Sequence, residues 1–62
     1  MHTYTITMIS GHQVQVESER KYNEIYLNNH VKQGENFVTG ESSLGDEVVI
    51  NLNNVLYIRK VR

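Results

Sequence analysis

Few side chains in this chain could do chemistry. They are His2, His12 and His30, Ser42 and Ser43, the acids Glu17, Glu19 and Glu24, and the cations Arg20, Lys21, Arg59, Lys60 and Arg62. The histidines have no ligand spacing between them, and zinc needs three or four convergent N, S or O ligands. His2 lies near a chain end and His12 in a turn, so both read as solvated groups. The chain has no cysteine, which removes thiolate metal sites and disulfides. "GESSLGD", residues 40–46, has the outline of a glycine-rich phosphate loop. Such a loop ends in Lys followed by Ser or Thr. Here Asp46 and Glu47 follow Gly45 and would repel phosphate. The acids do not alternate as the oxygen ligands of a calcium loop do. The segment therefore reads as a solvated hairpin loop. Neither serine has a recognisable base or oxyanion-hole context. Glu17, Glu19 and Glu24 read as strand-end and helix-start charges. No catalytic, cofactor-binding or metal-ligating residue is assigned, and the chain is not read as an enzyme.

Binding is the remaining class. Arg59, Lys60 and Arg62 beside Tyr57 could contact phosphates while the ring stacks on a base. Against this, seven Asp plus Glu oppose six Lys plus Arg, a net charge of −1, so no global field draws nucleic acid or an acidic membrane. Charges on a last strand also guard a sheet edge.

The elements that must position these residues follow from periodicity. "TYTITMI" alternates, with Tyr4, Ile6 and Met8 on one face and Thr3, Thr5 and Thr7 on the other. "QVQVE" resumes the pattern. An odd loop keeps Val14 and Val16 on the face of Ile6, so three or five loop residues are expected, pairing Met8 with Val14 and Ile6 with Val16. "SERKYNEIYLNNHVKQG" predicts a helix capped by Ser18 and closed by Gly34, the alternative being an end near Asn28-Asn29 with "HVKQ" extended. Tyr22, Ile25, Tyr26 and Asn29 share one side of it, with Leu27 and Val31 roughly opposite. "NFVTG", "EVVINL" and "VLYIRKV" predict strands. Asn53-Asn54 predicts a type I′ hairpin between the last two. That register places Val48, Ile50, Leu52, Val55 and Tyr57 on one face and Val49, Leu56 and Ile58 on the other.

An opening strand pair, then "SERKYNEIYLNNHVKQGENF", then "VVINLNNVLYIRKV", resembles small proteins encoded by phages and prophages of Gram-positive bacteria. These often carry a strand pair, one helix and an ending of the form INxxNIxxI. The resemblance implies non-catalytic action by binding host proteins, and it supplies no catalytic residue.

The 62 residues allow one domain, residues 1–62. Folding at this length buries only about 60% of the unfolded surface, so a partner matters. No apolar run approaches the about 20 residues of a membrane span, and the start "MHTYTITMISG" is not a secretory signal. The chain is read as mature and cytoplasmic, in the host cytoplasm if phage-encoded. The expected fold is α+β: a mostly antiparallel sheet of about five short strands with one helix on one face, in ββαβββ order. A small SH3-like β-barrel is the alternative. The expected function is protein binding, to itself or to a host protein, through Val49, Leu56, Tyr57 and Ile58. Nucleic-acid binding through Arg59, Lys60 and Arg62 is the second reading.

Overall fold

The computed structural model describes residues 1–61; Arg62 lies outside the described residues. The order is β1 (His2–Met8), β2 (Gln13–Ser18), α1 (Glu24–Lys32), β3 (Phe37–Glu41), β4 (Glu47–Asn51), a 3-10 turn (Leu52–Asn54) and β5 (Val55–Lys60). The strands form one antiparallel sheet in the order β4-β3-β2-β1-β5. The expected α+β architecture is therefore present, and the sheet is not closed into a barrel.

The β1–β2 hairpin has the expected odd loop, residues 9–11. Gly11 takes φ 94° and its N–H donates to the Met8 carbonyl at 2.9 Å. Tyr4 faces Val16 and Ile6 faces Val14. The expected partners, Met8 with Val14, are shifted by two residues. A two-residue shift preserves the face of every side chain, so Tyr4, Ile6 and Val16 still meet in the core. Val38, Ile50 and Tyr22 complete it.

The helix starts later than the sequence suggests. Ser18 does not cap it: Ser18 is buried at the end of β2, and its hydroxyl accepts from the Arg20 N–H at 3.0 Å. The Tyr4 hydroxyl then accepts from the Tyr22 N–H at 2.9 Å and holds residues 20–22 as a connection. Asn23 is the cap, accepting from the Tyr26 N–H at 2.8 Å. At the other end Gly34, with φ 78°, donates to the Val31 carbonyl, and Glu35 donates to the His30 carbonyl. This pair of bonds is a Schellman closure.

β3 diverges from β2 after a single paired position, Glu17 opposite Glu41. The carbonyls of Phe37 and Thr39 on that side lose their ladder partners. Side chains replace them: the Tyr22 hydroxyl donates to the Thr39 carbonyl, and His30 Nε2 donates to the Phe37 carbonyl at 2.7 Å. So the helix and its leading segment complete the ladder that the strands leave unfinished. Gly40 permits the crossing. A Cβ there would press into Val16 and lie 3.0 Å from the Glu17 carbonyl.

The predicted β4–β5 hairpin does not form. Among the described residues no non-glycine has positive φ, so Asn53-Asn54 is not a type I′ turn. The Asn51 side chain instead accepts from the Asn53 N–H at 3.0 Å and rounds the chain into the 3-10 turn. β5 then pairs with β1, Ile58 facing Ile6, at the edge opposite β4. Only Leu52–Asn54 join these two edge strands. Successive Cα atoms are about 3.8 Å apart, so the sheet must curl to bring the edges that near.

Candidate functional site

β5 meets β1 with a register shift between Thr7 and Met8, which leaves Leu56 without a partner residue on β1. Leu56 is 63% exposed and Tyr57 51% exposed. Across from them the helix presents Leu27, Asn28 and the half-exposed Val31. Together with Leu52 and Val55 these residues line an open groove of about 400 Å³ between α1 and β5. Among the described residues, Glu24 is the one charged residue of its lining.

The backbone along this groove is also available. The Val61 N–H donates to the Thr3 carbonyl at 2.8 Å. In an antiparallel pair, residues exchange bonds at alternate positions. Thr5 opposite Arg59 and Thr7 opposite Tyr57 continue that phase. The N–H and C=O groups of Ile58 and Lys60 therefore turn away from β1, toward the open edge.

The residues read from the sequence as one interface separate here. Leu56 and Tyr57 lie at the groove. Ile58 does not stand on a second apolar face; its side chain packs against the core opposite Ile6. Val49 is 56% exposed but sits on β4, at the other edge of the sheet. Val48 and Ile50 do face the core with Leu52 and Val55, whereas Tyr57 turns outward. On the helix, Ile25 is 73% exposed, and Tyr26 and Leu27 turn inward instead.

The cations divide as well. Arg59 lies on the outer side opposite Thr5, and Lys60 lies opposite Tyr4. Arg62 is outside the described residues. His2 is held below its ordinary value by partial loss of hydration, and then by Lys60, the N-terminal ammonium and Lys21. Positive charge thus gathers near the start of β1. On β2, β3 and β4, however, Glu17, Glu41 and Glu47 stand opposite one another in a row. Glu19 shares a shallow depression of about 370 Å³ with that row, and Glu24 lies apart on the helix. Among the described residues no three His, Cys, Asp or Glu side chains converge as metal ligands would.

Ser42 serves its own loop: its hydroxyl accepts from the N–H groups of Leu44 and Asp46 at 3.2 and 3.3 Å. His30, besides bonding the Phe37 carbonyl, lies 3.2 Å from a Glu35 carboxylate oxygen, so it fastens the helix end to the start of β3. That role left no local signal in the sequence. The groove's helix wall did, in the placement of Leu27 and Val31 away from Tyr22 and Tyr26.

Comparison with family models, with curated proteins and with solved structures finds no match for this chain. Among the described residues no helix is long and apolar enough to cross a membrane.

Proposed function

We propose that the chain is a small, non-catalytic protein-binding module whose contact surface is the groove between α1 and β5. One observation carries this reading: exposed Leu56 and Tyr57 stand beside a stretch of β5 whose backbone groups have no partner among the described residues. An extended segment of another protein could add to that edge through main-chain hydrogen bonds, with alternate side chains entering the groove. Leu56 would anchor it; burying one such side chain contributes about 1.5–3 kcal/mol. Tyr57, Arg59 and Lys60 would orient it. A phage or prophage accessory factor that engages a host protein in the host cytoplasm fits this mode of action.

Capture from extracts of the source cell tests the reading. The wild-type chain should retain a specific protein, and the Leu56→Asp variant should lose it while keeping its circular dichroism spectrum. Identical capture by both chains would refute the groove.

Nucleic-acid binding through Arg59, Lys60 and Arg62 is the second reading, and Lys21 and the N-terminal ammonium lie near Lys60 around His2. A gel shift at low salt should then show binding that weakens steeply as salt rises. Absence of a shift at low salt removes it.

A further inference from the structure

The other edge of the sheet carries a separate surface. The Leu52 N–H donates to the Asn36 carbonyl at 2.7 Å, and the Ser42 N–H donates to the Asp46 carbonyl at 2.8 Å. These bonds fix the phase of the β3–β4 ladder, in which Val38 faces Ile50 and Gly40 faces Val48. The backbone groups of Glu47, Val49 and Asn51 consequently point off the sheet. Natural edges are blunted by bulges, lysines or prolines. On β5, Arg59 and Lys60 would set like charges against a second β5, so that edge resists self-pairing while it stays open to a segment of another protein. β4 reads Glu-Val-Val-Ile-Asn, with a regular register and no cation.

We propose that β4 pairs antiparallel with β4 of a second copy about a two-fold axis at Val49, joining the two sheets into one. The strand is self-complementary in that register. Val49 meets Val49, Val48 meets Ile50, and Glu47 meets Asn51. The alternatives are poorer. An axis at Glu47 opposes two carboxylates, which is unfavourable. An axis at Val48 sets Asp46 against Ile50. An axis at Ile50 runs into the 3-10 turn. The chosen register also supplies a hydrogen-bond match across the axis. The Asn51 side-chain oxygen already accepts from the Asn53 N–H. Its amide N–H groups have no acceptor among the described residues and can donate to the Glu47 carboxylate of the second copy. Glu47, crowded by Glu41 on one side, gains a donor on the other. A head-to-tail antiparallel pairing of β4 with β5 is disfavoured by side-chain parity. It would bring the outward residues of β4 beside the core-facing Ile58, setting polar Glu47 and Asn51 against the apolar groove. This surface is independent of the groove reading.

Light scattering over a dilution series reads the assembly. The wild-type chain should give twice the 7.2 kDa of one chain. Val49→Lys places an edge-guarding cation at an exposed position and should halve the mass with an unchanged circular dichroism spectrum. Leu56→Asp should leave the mass doubled. Cysteine is absent from the chain, so Val49→Cys provides a clean register test. Directly opposed Cα atoms of a hydrogen-bonded pair are about 5.5 Å apart, within disulfide reach. Mild oxidation should crosslink Val49→Cys into a covalent dimer and leave Glu47→Cys uncrosslinked. A wild-type monomer at every concentration would overturn the proposal. So would a dimer that survives Val49→Lys, or one abolished by Leu56→Asp instead.

Discussion

Tyr22 is buried against Tyr4, their ring centroids 4.7 Å apart, and its hydroxyl serves the Thr39 carbonyl that β2 cannot reach. Tyr22→Phe leaves that carbonyl unsatisfied and should cost about 1–3 kcal/mol in a denaturant melt. Burial, above all, raises the Tyr22 phenol above the ordinary value of 10.0; Tyr26 and Tyr4 add to the rise, and the Ser18 hydroxyl offsets part of it. A raised phenol means that the unfolded chain ionises first. Stability contributed by Tyr22 is therefore complete below the ordinary value and is lost as pH climbs through the folded one. Melting temperatures should fall on that climb, and Tyr22→Phe should flatten the slope. Gly40 works by omission. Gly40→Ala would force a methyl group toward Val16 and the Glu17 carbonyl and should cost about 1–3 kcal/mol, read by the same melt. Neither role was legible in the sequence, because both depend on where β3 leaves β2.

At the level of elements, legibility followed the range of the deciding interaction. The alternation of β1 and β2 and the closing role of Gly34 are local, and both were legible. The helix start was not. Ser18 and Asn23 are both good caps, and the Tyr4 hydroxyl decides between them from another strand. The same holds for Asn53-Asn54. Its composition favours a hairpin, but pairing with β1 sets Ile58 against Ile6 in the core. This gives a pair of opposite expectations. Asn51→Ala removes the side chain that holds the 3-10 turn and should cost about 1 kcal/mol, comparable to a lost helix cap. Asn53→Ala, exposed and without positive φ, should stay within about 0.5 kcal/mol. In a type I′ hairpin the ranking would reverse, so thermal melts of the two variants separate the connections.

For the whole molecule, one short connection between opposite edges has the largest consequence. With β5 carried across to β1, one apolar patch becomes two surfaces: Leu56 and Tyr57 at the α1–β5 groove, and Val49 on β4. The sequence supplied the exposed apolar residues but grouped them through a hairpin that does not exist. It also read Ile58 as surface, whereas Ile58→Asp would now set a carboxylate against the core. Amide exchange along β5 tests the open groove most directly. Arg59 and Val61 amides should exchange slowly, since they bond to β1, and those of Ile58 and Lys60 should exchange fast until a partner occupies the edge. Slow exchange at Ile58 and Lys60 in the isolated chain would mean that this edge is already paired, and no binding groove would remain there.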